Sequence, residues 1–401
     1  MYEQSIKKLI DFSIFEWMYY SFFGTFTGFI AAYLLACGMD STILSIVIAV
    51  FLGTSFVGSF FWGTLCDRIH SNKKVFIFEL SASIVTAAVL YWTAGTNVLY
   101  AAFLYPLFGF LCTPLGTILD SWMLKSFDRD YGMFGKARAV GSIGFATASL
   151  VIGVFIKKYG YIALFIGIIV FSLTTLIFAV LAHEKAYETN IQSVQEKAHP
   201  MQLLKYRSYM YMLAILFLTG LACAPVNNLK IVFLENVGGD VGILGFDAFI
   251  GVMIQAVFIF LASFLKRIKA YTRMLLVTVF VFLDLLLVLI ATNYIVIIIG
   301  TIMWNISFGI MLPTIREITE TSVAGSLKST AHTMADAVYY DFSGIVALSY
   351  SGFLLDKFSE KSLAFLGMVV ITVAMIVTAI TRHSVDRIKT GQTAVEIDST
   401  L

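Results

Sequence analysis

The apolar positions of this chain lie in repeated continuous runs of roughly 20 residues, the length that crosses ~30 Å of hydrocarbon as a helix. Twelve such spans can be placed, to within several residues at each end: 12–36, 43–64, 75–94, 98–120, 138–157, 161–182, 208–234, 243–264, 274–291, 294–315, 330–354 and 362–381. The runs do not alternate apolar with polar, so they are not strands of a β-barrel. Inside a bilayer every backbone N–H and C=O must be satisfied within the segment, which leaves helices. Between the runs lie short polar connections, and the longest, from His183 to Arg207 with Pro200 in it, divides the spans six and six. The pattern predicts a six-helix half over 1–182, a linker over 183–207 with some helix, a second half over 208–381, and a polar tail over 382–401 without apolar periodicity.

Charge changes the picture by giving the spans a direction. If the N-terminus lies inside, alternate connections carry Lys7 and Lys8; Arg68, Lys73 and Lys74; Lys125, Arg129, Lys136 and Arg138; Lys185, Lys197, Lys205 and Arg207; Lys266, Arg267, Lys269 and Arg273; Arg316 and Lys328; and Arg382, Arg387 and Lys389. These are 22 of the 27 basic residues, against Lys157, Lys158, Lys357 and Lys361 on the other side and Lys230 within a span. Excess Lys and Arg mark the cytoplasmic side, so both termini are expected in the cytoplasm of a multi-pass cell-membrane protein. An odd number of spans would spoil this partition.

Composition agrees. Mean hydropathy is +0.88 and 13% of residues are charged, against about 25% in soluble domains. The near balance of 27 basic and 25 acidic residues points to no nucleic-acid partner. Cys37, Cys66, Cys112 and Cys223 are scattered through apolar runs and read as packing residues. No metal-ligand spacing or cofactor motif occurs, and no Gly-rich phosphate loop precedes a Lys-Ser/Thr, which argues against an ATP-driven pump and against an enzyme. The run from Phe12 to Cys37 is longer than a cleaved signal's ~7–15 residues and contains Glu16, so it is read as the first span.

The two halves echo each other. Span two runs into Gly63-Thr-Leu-Cys-Asp67-Arg68-Ile-His-Ser-Asn-Lys73-Lys74, and span eight into Leu265-Lys266-Arg267-Ile-Lys269-Ala-Tyr-Thr-Arg273. Paired repeats around a linker are a transporter architecture, with the solute near midplane. The loop Gly63-x-x-x-Asp67-Arg68-x-x-x-x-Lys73-Lys74 resembles the signature of the major facilitator superfamily, with His70 or Ser71 where a glycine is usual. In physical terms Gly63 would let helices approach, Asp67 would cap a neighbouring helix, and the basic residues would stay at the surface. The stretch Pro114 to Asp120 followed by Asp130 to Phe145 further resembles the oligosaccharide:proton symporter branch, which includes lactose permease, and its phenylpropionate-permease-like relatives. Asp120 and Arg138 stand eighteen positions apart, as that branch's acidic residue and arginine do. The resemblance implies that this pair binds sugar hydroxyls and that Phe145 stacks on the ring. In the second half only the span pattern persists, with Val252 and Ile306 where the branch has carboxylates.

Charges inside a span cost at least ~2.5–3.5 kcal/mol each, so each one needs a reason. Asp120 and Arg138 read either as a cavity pair or as an ion pair near the inner boundary. Lys230 either snorkels outward or pairs with Asp336 or Asp341 of span eleven, with Asp284 as a third option. Asp336 and Asp341, five residues apart, face different sides of a regular helix, which makes span eleven a candidate for proton coupling. Asn227, Asn228, Gln255 and Asn305 could each glue helices, and as a group they suggest a polar cavity beside Trp304. Glu16, Glu79 and Asp247 lie near span ends and are expected to reach water. The expected protein is a monomeric alternating-access transporter in the lipid bilayer, taking up a sugar or similar small hydroxylated solute with protons. A nucleoside, an aromatic acid or an exported drug is the alternative cargo, and a solute sensor the alternative class.

Overall fold

The computed structural model describes residues 2–128, 130–184, 200–265, 267–324 and 327–398. Its helices are α1 (Tyr2–Ala36), α2 (Ser41–Ile69), α3 (Asn72–Ala94), α4 (Ala101–Ser126), α5 (Tyr131–Tyr159), α6 (Ile162–Leu181), α7 (Arg207–Asn228), α8 (Lys230–Asn236), α9 (Val241–Phe260), α10 (Ala262–Leu265), α11 (Ala270–Ile290), α12 (Tyr294–Ser322), α13 (Lys328–Ala337), α14 (Ser343–Lys357) and α15 (Glu360–Asp398). Among the described residues there is no strand, and eleven helices are long and apolar enough to cross a membrane. The remaining expected span, 330–354, is composite: α13 and α14 are joined by a π-helical turn over Val338–Phe342.

Helices overrun the apolar runs because polar caps, not hydropathy, set their starts. Asp40 accepts from Thr42 N at 2.8 Å, Asp130 from Gly132 N at 2.8 Å, Asp240 from Ile243 N at 3.0 Å and Asn293 from Ile295 N at 3.0 Å. Span five thus starts at Tyr131, and span one starts at Tyr2. The polar tail continues α15 to Asp398. Of the linker, residues 185–199 lie outside those described, and Pro200–Lys205 is a 3-10 turn. Span seven breaks after Asn228, one turn past Pro225, and Leu229 N returns to Pro225 O at 3.0 Å.

Packing repeats between the halves. In the first half α1 packs on α5 and α6, α4 on α2 and α3, and α3 on α6. In the second half α7 packs on α14 and α15, α12 on α9 and α11, and α11 on α15. Each pairing of the first half recurs in the second, six spans later. The halves meet through α2 with α14 and α5 with α9, two crossings exchanged by the same pseudo-two-fold relation.

Both crossings are tightest at the face opposite the chain's two ends. There Lys157 pairs with Asp240 at 2.8 Å, and Thr42 Oγ1 donates to Asp356 Oδ2. A β-carbon on Gly352 would come within 2.3 Å of Thr42 Cα, and one on Gly245 within 2.3 Å of Ser149 O, so backbone touches backbone at both seams. The contact continues inward to the Phe56 and Phe342 rings, 5.2 Å apart.

Candidate solute site

Beneath that sealed face a cavity of about 350 Å³ opens between the halves. Its first-half wall holds Thr27, Tyr105 and Phe145; its second-half wall holds Asn227, Asn228, Gln255, Trp304 and Asn305, with Lys230, Asp247 and Thr301 at one side. The amides expected to form a polar group do so, and Trp304 joins them. Asn305 also holds the helix, donating Nδ2 to Thr301 O at 2.8 Å, and Asn228 donates to Ala224 O at 2.9 Å. Phe145 reaches the wall over Gly24, whose absent side chain makes room for the ring: a β-carbon there would lie 2.7 Å from it. Carboxamides with aromatic rings from both halves suit a neutral ring that carries hydroxyls, by hydrogen bonding at its edge and stacking on its face.

Asp120 and Arg138 form an ion pair at 3.5 Å, each side chain one-third exposed. The guanidinium also lies over the Tyr20 ring, 4.0 Å from its centroid. Arg138 is seven residues before Phe145 on α5, which places the pair about 10 Å below the aromatic on the terminal side of the cavity. The pair and the ring thus lie two helical turns apart along one face of α5. A matching pair closes the second half with its signs exchanged. Arg316 of α12 donates to Asp336 of α13 at 2.8 Å, on the helices equivalent to α4 and α5.

That pairing corrects the expected partnership of Lys230. Its ammonium donates to Thr301 Oγ1 at 2.9 Å and the residue is 8% exposed, so it neither snorkels nor pairs with span eleven. Asp247 of α9 and Asp284 of α11 are the carboxylates within its electrostatic reach. A π turn lies between Asp336, which pairs with Arg316, and Asp341, which sits half-buried within the turn.

Glu16, Glu79 and Asp247 do not reach water: all three are buried. Glu16 is four turns into α1 rather than one, because the helix starts ten residues before the apolar run. It lies against Gly141 beside the Asp120–Arg138 pair, and neither of its oxygens has a hydrogen-bond partner. The signal available in the sequence was the lack of any helix breaker between Tyr2 and Glu16.

The signature loop also differs from expectation. Gly63 has nothing within 4 Å of its β-position, so it mediates no close approach. Asp67 and Arg68 are exposed at the end of α2. His70 holds the left-handed conformation, with φ 55°, where glycine is usual, and Ser71 caps α3. The start of α3 is capped by Glu184. Its carboxylate accepts from Ser71 Oγ at 2.5 Å, Asn72 N at 2.6 Å and Lys73 N at 3.0 Å. In return Lys73 Nζ donates to the last carbonyls of α6, Val180 O and Ala182 O, both at 2.7 Å. Lys74 lies beside this cap, its N–H on Ser71 Oγ at 3.1 Å.

Known structures share this architecture. A single-site mutant of the nucleoside transporter NupG superposes with a TM-score of 0.81 at 16% identity over 93% of this chain and 99% of that one. An auto-inhibited POT family peptide transporter does so with 0.73 at 11% identity, over 95% and 97%, and a bacterial metal transporter with 0.67 at 11%, over 93% and 97%. At such identities the likeness is one of fold. No curated protein matches the sequence. The model of the MFS_1 like family matches residues 9–388, and with the duplicated six-helix packing and the cavity between the halves this shows that the chain belongs to that family of major facilitator-type membrane transporters.

Proposed function

We propose that this transporter takes up a small neutral solute with a hydroxylated ring, a sugar in the first instance, driven by a proton gradient. The observation that carries the reading is the lining of the cavity: Asn227, Gln255 and Asn305 for hydroxyls, with Phe145 and Trp304 for the ring. A volume of about 350 Å³ lies at the small end of ligand pockets, ~300–1,000 Å³, and favours one or two rings over a longer oligosaccharide. With both termini in the cytoplasm, as the Lys and Arg partition indicates, the sealed face is external and the solute leaves past Asp120 and Arg138. Arg138 suits that station because its planar fork meets vicinal hydroxyls with two donors at once. The protein works as a monomer, since the cavity is complete within one chain.

Nucleoside cargo is the second reading. Aromatic rings from both halves suit a base, and the fold likeness to the nucleoside transporter NupG supports it.

The test is uptake of labelled mono- and disaccharides and nucleosides into proteoliposomes, with and without an inward proton gradient, for wild type and Arg138→Lys. Gradient-dependent uptake of one class, reduced at least tenfold by the substitution, is the expected result. No uptake of either class by folded, inserted protein would sink the cargo assignment.

A further inference from the structure

Lys230, Asp247 and Asp284 come from α8, α9 and α11 and meet at Gly300 and Thr301 of α12. They are 8%, 3% and 0% exposed. The Lys230 ammonium donates to Thr301 Oγ1 at 2.9 Å, and the same hydroxyl lies against the Asp247 carboxylate. Asp284 presses Oδ1 against Gly300, where a β-carbon would come within 2.8 Å. Neither Asp284 oxygen has a hydrogen-bond partner, and Asp247 Oδ1 has none either. The carboxylates are therefore held in place with acceptor capacity unused.

One ammonium beside two carboxylates leaves a single negative charge when all three are ionised, and an uncompensated buried charge is strongly disfavoured. The other cations of α11 and α12 are engaged elsewhere, Arg273 with Glu317 at 2.6 Å and Arg316 with Asp336 at 2.8 Å. Toward Asp284, α7 presents the Cys223 thiol, with the Tyr339 hydroxyl behind it, and α12 presents the neutral Thr301 and Asn305. The stretch of α15 from Leu363 to Thr381 has no titratable side chain. Against α9, α5 contributes Lys157 only at the sealed face, where Asp240 holds it, and Glu16 of α1 lies toward the other end. Lys230, Asp247 and Thr301 also border the solute cavity, so a hydroxylated solute would meet these groups directly.

We propose that Lys230, Asp247 and Asp284 form the site of the transported proton, which neutralises the one excess charge; this rests on the proton-coupled reading above. Asp247 exchanges the proton with the cavity, and Asp284, sealed from it, retains the proton while the halves move. A proton from water adds to an Asp247 carboxylate oxygen and passes to Asp284. On release that O–H bond breaks and the proton returns to water on the other side, with no other bond changed. A solute hydroxyl that takes Thr301 or Lys230 as partner alters the balance among the three groups, and this links cargo to proton. The ammonium already occupies the Thr301 hydroxyl, and a proton needs only one of the unpartnered carboxylate oxygens, so the site is assigned to a proton, with sodium as the rival that the experiment separates.

The experiment needs no cargo. Infrared difference spectra of reconstituted protein between neutral and alkaline pH, in light and heavy water, count protonated carboxyls. Asp284→Asn and Asp247→Asn, each an isostere of the protonated acid, are expected to lose one carboxyl's signal per chain. Lys230→Met, which leaves two buried carboxylates without a cation, is expected to gain one. The opposite signs separate charge balance from misfolding, and if one aspartate variant fails to accumulate the other two still decide. Signals unchanged in the variants that fold would overturn the proposal, as would loss of the wild-type signal on adding sodium at constant pH. Because no solute is present, failure of sugar or nucleoside uptake leaves this result intact, and failure here leaves the uptake assay standing.

Discussion

Gly245 sets how closely the halves approach at the sealed face, and replacing it should shift the conformational equilibrium. A β-carbon at Gly245 would lie 2.3 Å from Ser149 O and 3.1 Å from Gly153 Cα, against 3.4 Å for ordinary contact. To admit it, α5 and α9 must part by about 1.1 Å, the difference between 3.4 and 2.3 Å. The obstacle is backbone, so no rotamer change relieves it. Overpacking of this kind costs about 1–3 kcal/mol. In alternating access the cost falls only on the conformation in which these helix ends touch, and a perturbation moves an equilibrium by its differential effect on the two states. Gly245→Ala should therefore populate the conformation open at that face by about 5- to 150-fold more than in wild type. Gly245→Val should go further. The assay is the distance distribution between spin labels at Lys158 and Asn236, one in each half, in a background lacking Cys37, Cys66, Cys112 and Cys223. A longer-distance population should appear in alanine and grow in valine. Distributions identical to wild type in both folded variants would refute the idea that this seam is the gate.

Two further outcomes follow from the contacts at the helix ends. Glu184→Ala removes the carboxylate on which Ser71 Oγ and the N–H groups of Asn72 and Lys73 converge, and should cost about 1–2 kcal/mol, seen as a lowered melting temperature in detergent. At the sealed face, partial burial works upward on the Asp240 carboxyl, but the hydrogen bond and charge of Lys157 with the Ile243 and Gly242 N–H groups outweigh it and hold it below the usual aspartate value. A lowered folded value means the stabilisation is complete above the unfolded value of about 3.9 and fades as pH falls through the folded one. The sealed-face distance should thus lengthen only in acid, below about pH 4, and Asp240→Asn should abolish that response.

Much of the architecture was legible in the amino-acid order, because the bilayer imposes a length on every span and each span must satisfy its own backbone. Twelve runs, a central linker and echoing loop motifs implied two six-helix halves, and the duplicated packing agrees. Phe145, Asn227 and Asn305 reach one cavity, as expected of polar and aromatic residues near mid-span. Helix ends were less legible. A hydropathy window sees where residues stop being apolar, whereas Asp40, Asp130 and Asn293 start helices by hydrogen bonding.

Apart from the Asp120–Arg138 pair, which charges meet was decided by the tertiary structure. Lys230 lies within one span, but its neighbours come from spans eight, nine and ten, and Asp284 is fifty-four positions away in the chain. Arg316 takes Asp336 because α12 and α13 cross at that height, and the π turn at Val338–Phe342 holds Asp341. Composition and span length are local sums along the chain, so the sequence by itself determined that this is a twelve-span, two-half membrane transporter. The partner of a buried charge depends on which helix faces touch, and that is settled only when all the helices pack together.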